Sequence, residues 1–160
     1  MTELTQLYDS NYSEWAKENA RLLEAGRFVD LDIEHLLQEL SDMGKAEINE
    51  LESRLIILLA HLLKWQFQYQ QLSQRWQEFD GRSWRTTIIE QRLRLHRRLR
   101  KSPSLKAKLL ATVADVYDDA VKLAQKETQL AEKIFPQHCE YSVAEILDDD
   151  FYPDFVTLSH

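Results

Sequence analysis

An all-α fold, an antiparallel up-down helical bundle with one long central helix and a short C-terminal helix, is what this sequence predicts. Apolar residues recur at spacings of three and four along most of the chain. Only three glycines and three prolines occur in 160 residues, too few for the many turns of an all-β fold. Short connections join the long amphipathic stretches, which favours antiparallel neighbours. With 44% hydrophobic and 29% charged residues, the chain can bury a real core. A single helical domain over residues 1–160 is expected, ordered over about 8–152, with no internal repeat.

The first helix is expected over about Ser10 to Glu24, where Tyr12, Trp15, Asn19 and Leu22 share one face. Gly26 stands where a helix end takes a residue at positive φ. Asp30 or Asp32 caps the next helix, whose apolar face is Ile33, Leu36, Leu37 and Leu40. The phase runs unbroken through Leu37, Leu40, Gly44, Ile48 and Leu51, so a bent but continuous helix through Gly44 is expected.

The strongest pattern follows. Ile48, Leu51, Leu55, Leu58, Leu62, Trp65, Tyr69, Leu72 and Trp76 alternate spacings of three and four, widened by Ile56, Leu59 and Leu63. This is the expected central helix. The glutamines Gln66, Gln68, Gln70, Gln71, Gln74 and Gln77 read as a solvated face near its end. Asp80-Gly81 marks a turn. A basic helix over about Ser83 to Arg100 buries Trp84, Ile88, Leu95 and Leu99, with Ile89 and Leu93 beside them. Ser102-Pro103 reads as an N-cap with proline at the first helical position. The helix it opens runs to about Lys133, burying Leu105, Leu109, Val113, Val116, Ala120, Leu123 and Ala124. Phe135-Pro136 stops it. Ser142 and Glu145 form a capping box, with Tyr141 and Ile146 as a hydrophobic staple, and the short helix they open ends at Asp148, Asp149 and Asp150. A loosely held tail is expected after Pro153.

Charge is unevenly spread. The net charge is -7, so the whole molecule is a poor general polyanion binder. Residues 82–108, however, carry 10 basic and 1 acidic side chains. Met1, Thr2, Glu3 and Leu4 lack the basic and apolar regions of a secretory leader. The longest apolar run, Leu55 to Leu63, is interrupted by His61 and too short to span a bilayer. One cysteine, Cys139, cannot form an internal disulfide and fits a reducing compartment. No membrane association and a cytoplasmic location are expected.

Several segments resemble one known family. Leu37-Gln38-Glu39-Leu40-Ser41-Asp42-Met43-Gly44-Lys45 is similar to its E-[IL]-x-x-[ML]-G-[KR] segment, and His61-Leu62-Leu63-Lys64-Trp65 to its H-L-L-K-[WL] signature. Ser83-Trp84-Arg85, Ile88 and Gln91-Arg92 resemble its S-W-x-x-[ST]-I-x-x-x-R segment, and Ser102-Pro103-Ser104-Leu105 its S-P-S-L turn. Tyr117, Ala120, Ala124, Thr128, Phe135-Pro136, Cys139, Tyr141, Leu147-Asp148 and Phe151-Tyr152-Pro153 follow the same pattern. The family is a bacterial one, catalogued as domain-of-unknown-function family twenty-nine. Gln38 departs from it where a second acidic residue is common, which weakens any role for paired carboxylates at 38 and 39. The resemblance implies an all-helical fold and no nameable activity.

Three function classes remain. The first is a non-enzymatic interaction module that binds a protein partner or itself; a long exposed apolar strip would mark it. The second uses Arg94, Arg97, Arg98 and Lys101, which share one helix face, to bind nucleic acid or other phosphates. The plainer reading pairs them with the protein's own carboxylates, Asp115, Asp118 and Asp119 among them. The third is an enzyme with a polar site built from Glu39, His61, Lys64 and Arg92. A half-buried, hydrogen-bonded His61 is the plainer reading there. A nucleophile elbow and a glycine-rich phosphate loop are both absent, so no cofactor is expected. No metal is expected either: Asp32-x-x-His35 is the nearest approach to a bundle metal motif and stands alone. The tryptophans Trp15, Trp65, Trp76 and Trp84 read as core or seam residues.

Overall fold

The structure is a computed structural model that describes residues 2–75 and 80–156. Trp76 and Gln77, expected at the end of the central helix, lie outside the described residues, as do the last four of the tail. Among the described residues the protein is all-α: seven α-helices and three short 3-10 turns, with no strand. Its contacts divide it into two compact units, residues 1–47 and 48–160.

In the first unit, α1 (Thr2–Ser10) precedes α2 (Tyr12–Glu24). α1 lies ahead of the first helix expected from the apolar spacing. Asn11 joins the two helices, its side chain capping α2 by accepting from the Glu14 amide. α2 ends as predicted: Gly26 takes φ +71°, and the Arg27 and Gly26 amides bond to the carbonyls of Leu22 and Leu23. This double closure satisfies orphan carbonyls and needs a residue free to adopt the left-handed region. A 3-10 turn (Phe28–Asp30) leads to α3 (Ile33–Phe67). Asp32 rather than Asp30 caps α3, its carboxylate accepting from the His35 amide. α3 continues through Gly44, as the unbroken apolar phase requires.

The second unit holds the core. Leu51, Leu55, Leu58, Leu59, Leu62 and Leu63 from α3 are buried with Ile88, Leu95 and Leu99 of α5 (Arg82–Lys101) and with Leu109, Val113, Val116, Ala120 and Ala124 of α6 (Leu109–Thr128). Glu50 meets Arg98 and Arg54 meets Gln91, so α3 and α5 run antiparallel. Lys64 meets Glu127, and Gln68 meets the Thr128 carbonyl, so the C-terminal ends of α3 and α6 lie together. The three helices therefore run up, down and up.

Several boundaries differ from the predicted ones. The central helix breaks at Gln68, and α4 (Tyr69–Arg75) follows. The segment opened by Ser102-Pro103 begins as a 3-10 turn (Pro103–Lys108) without a side-chain cap. α6 stops at Thr128, not Lys133. Gln129 takes φ +64°, and the Thr128 hydroxyl donates to the Ala124 carbonyl while accepting from the Leu130 amide, which diverts the chain. On α5, Ile89 and Leu93 are exposed while Gln91 and Arg92 are buried. Of the glutamines, Gln74 is exposed, but Gln66 and Gln68 are half-buried: Gln66 accepts from the Tyr141 hydroxyl, and Gln68 donates to the Thr128 carbonyl. The capping box of α7 (Val143–Leu147) forms as predicted. Beyond Pro153 the chain is held through Val156, whose amide donates to the Gln66 carbonyl, and Phe155 stacks on Tyr69 at 4.9 Å.

Candidate functional site

The polar residues of the first unit converge on one face of α3. Asp32 and His35 stand three residues apart, and Glu39 follows after four, so the helix stacks them along one side. α1 and α2 supply the aromatic partners. The Trp15 indole N–H donates to Asp32 Oδ2 at 2.9 Å, and His35 Nδ1–H donates to the same oxygen at 2.7 Å. Asn19 accepts from the Asp32 amide and donates to the Trp15 carbonyl. The Tyr8 ring stacks on His35 with centroids 4.0 Å apart. Glu39 accepts from the Tyr8 hydroxyl at 2.5 Å and from the Tyr12 hydroxyl at 2.8 Å.

These contacts set the charges. Burial pushes the Asp32 carboxyl up, but the bonds from Trp15 and His35 outweigh it and leave it below the usual range. Bonds from Tyr8 and then Tyr12 likewise hold Glu39 low. In return, the bond to Glu39 pushes the Tyr8 phenol up to about 12. The result is an ionised, fully bonded clasp.

About a third of a turn round from these residues, α3 carries an apolar strip that is bare. Ile33, Leu37, Leu40 and Met43 are 51%, 63%, 63% and 62% exposed. Phe28 and Val29, just before the helix, are exposed as well.

In the second unit, His61 and Lys64 share a neighbourhood. His61 Nδ1–H donates to the Ile57 carbonyl at 2.9 Å, which leaves Nε2 as the free lone pair of the neutral ring. Burial holds the imidazole below its usual pKa, and nearby Lys64 adds to this. Lys64, itself buried, donates to Glu127 at 2.5 Å and lies 4.8 Å from the centre of the Trp84 ring. Glu127 and Trp84 are functional candidates that spacing alone could not link to His61.

Arg92 is fully buried and bonds to main chain. Its Nε donates to the Ile146 carbonyl at 2.9 Å and an Nη to that of Glu145 at 3.3 Å, while its guanidinium faces the Tyr152 ring at 5.5 Å. One turn on, His96 Nε2–H donates to the Leu147 carbonyl. Arg92 and His96 together close the C-terminal end of α7 by bonding to its last carbonyls, and the Arg92 charge suits the helix dipole there.

The basic face of α5 is partly used internally. Arg94 pairs with Glu90 at 2.9 Å, and Arg98 pairs with Glu50 at 2.6 Å. Arg97 and Lys101 are exposed and have no ion-pair partner among the described residues. Asp115, Asp118 and Asp119, the carboxylates suggested by sequence, also form no ion pair among them. A groove of about 800 Å³ runs along α6 past Tyr117, Phe135 and Cys139. Its rim sets Lys122 and Lys133 against Asp118 and Glu132. Burial raises the Cys139 thiol, which makes it a poor nucleophile. Among the described residues no group of three His, Cys, Asp or Glu side chains could hold a metal, and no helix is long and apolar enough to cross a membrane.

A helical protein with a bonded aromatic clasp, a bare apolar helix face and a leucine-rich three-helix core is the class these features define. The family model described as "Domain of unknown function DUF29" matches residues 7–152, and the chain belongs to that family. No curated protein and no solved structure matches the chain.

Proposed function

We propose that this chain is a non-enzymatic helical interaction module that docks a protein partner on the apolar face of α3. The exposed row Ile33, Leu37 and Leu40, extended by Met43, carries the reading. Large apolar side chains left in one row on a helix surface mark an interaction site. The helix turns carboxylates and an imidazole towards α1 and α2, and its apolar side is free for something else.

Charge identifies the partner's chemistry. Residues 1–47 carry 11 acidic and 4 basic side chains. Two such surfaces face to face would repel, so the matching occupant is an amphipathic helix whose apolar ridge is flanked by Lys and Arg. A bacterial cytoplasm is the setting we propose, in line with the single cysteine.

The test is capture from a bacterial lysate by wild type and by a Leu37→Ser/Leu40→Ser variant, with captured proteins identified and sedimentation run in parallel. A prey that contains a basic-flanked amphipathic helix and is lost in the variant supports the proposal. Equal capture by both proteins overturns it. A dimer broken by the variant would make the occupant a second copy.

A second reading rests on Arg97 and Lys101, exposed and without ion partners among the described residues. They suit contact with the phosphates of a nucleic acid. That reading requires binding that weakens steeply with salt and is lost on Arg97→Glu/Lys101→Glu.

A further inference from the structure

The basic side chains of α5 and the turn after it divide by what they face. Arg92 and His96 bond to carbonyls at the end of α7, and Arg94 and Arg98 face carboxylates. Arg100 and Lys106 have no ion-pair partner among the described residues, yet both line one pocket of about 350 Å³. Its other walls are Leu99, Leu109, Leu147 and His96. Leu99 and Leu109 are buried core residues and Leu147 is half-buried, so the floor is apolar and fixed. His96 contributes a ring whose Nε2–H is already committed to the Leu147 carbonyl at 2.8 Å. Asp149 stands 3.7 Å from that nitrogen but is not a wall of the pocket.

An apolar floor under two uncompensated cations is complementary to a molecule with an acidic head and an apolar body. The volume sits at the small end of the range for ligand sites, about 300–1,000 Å³. The larger groove along α6 lacks this selectivity, because Asp118 and Glu132 offset Lys122 and Lys133 on its own rim. Here every charged wall residue is cationic or a histidine.

We propose that this pocket binds a small organic carboxylate, with Arg100 and Lys106 holding the head and Leu99, Leu109 and Leu147 the body. Arg100 presents a planar donor fork that matches a carboxylate, and Lys106 adds a second charge. The site is separate from the apolar face of α3, and either can fail without the other.

The experiment is a titration of the full chain with octanoate, below its micellar concentration, followed by amide NMR. Octanol serves as the same body without the head, and acetate as the head without the body. The expected result is saturable shifts at Leu99, Leu109 and Leu147, with octanol and acetate each at least about tenfold weaker, the loss of one charge-assisted bond or of the buried body. Arg100→Gln/Lys106→Gln, two exposed positions whose change leaves the core intact, should weaken octanoate about tenfold or more and leave octanol unchanged. Octanol binding as tightly as octanoate, shifts confined to another region, no saturation, or full octanoate affinity in a variant with a native spectrum would each overturn the proposal.

Discussion

The two halves of α3 follow the same helical period and use it in opposite ways. From Leu51 to Leu63 the apolar face is buried, and polar side chains meet α5 and α6 at its margins through Glu50, Arg54 and Lys64. From Ile33 to Met43 the apolar face is exposed, and α1 and α2 are met through Asp32, His35 and Glu39. A 3.6-residue pattern reports that a helix has an apolar side. It does not report whether this same chain covers that side. The first half is tied by directional bonds, the second by packing.

Truncation tests that contrast most directly. Leu58→Ala removes a fully buried side chain and should cost about 2–5 kcal/mol, the range for large-to-small changes in a packed core. Leu37→Ala, at 63% exposure, should change stability by no more than about 0.5 kcal/mol. Urea denaturation followed by helix content measures both. A large loss at Leu37 would mean that its face is covered, and the contrast between the halves would disappear.

Removing a clasp carboxylate comes next in size. Asp32→Ala leaves the Trp15 indole N–H without its acceptor and should cost about 1–3 kcal/mol. The accompanying pH dependence has a definite sign. Asp32 and Glu39 are held below their ordinary carboxylate values in the folded chain. Their contribution is therefore complete above the unfolded pKa values of about 4 and fades as pH falls through the lower folded values. Following the Trp15 indole proton through an acid titration should show the clasp intact at about pH 4.5 and opening only in stronger acid. Opening at higher pH would contradict bonded, ionised carboxylates. Glu39→Gln should bring the Tyr8 phenol down from about 12 towards 10, read by ultraviolet absorbance.

Much of this fold was legible because local chemistry decided it. The Gly26 helix end, the Ser142–Glu145 capping box and the Leu51–Leu63 stretch of the leucine seam each rest on a few neighbouring residues, and each formed as read. What was not legible depended on partners distant in sequence or on bonds that propensity does not encode. The partners of Arg92 are the carbonyls of Glu145 and Ile146, more than fifty residues away. Thr128 ended α6 early through a hydroxyl bond that propensity does not encode. At the candidate sites, Asp32 and His35 carried a visible signal, the i, i+3 spacing weighed for a metal. Their partner Tyr8 lies on α1, ahead of the first apolar periodicity, and Glu127 joins Lys64 across 63 residues. The exposure of Leu37 and Leu40 had no local signal, since a covered face and a bare one have the same sequence.

Two glycines give the finest probe of the contrast. Gly81 sits at φ +71° in the second unit, and the space a Cβ would need is filled by the Tyr69 ring. Gly81→Ala should therefore destabilise by at least about 1–2 kcal/mol, from backbone strain alone and more from the displaced ring. Gly44 lies within α3, in the phase of the bare strip, and a Cβ there would meet nothing within 4 Å. Gly44→Ala should stabilise by about 0.5–1 kcal/mol, because alanine loses less chain entropy on becoming helical and displaces nothing. The sign is the informative part. A gain at 44 beside a loss at 81 is what a bare helix face and a closely packed turn require. A loss at 44 would mean that another surface already lies against that face, and the strip from Ile33 to Met43 would then be an internal contact rather than a docking site.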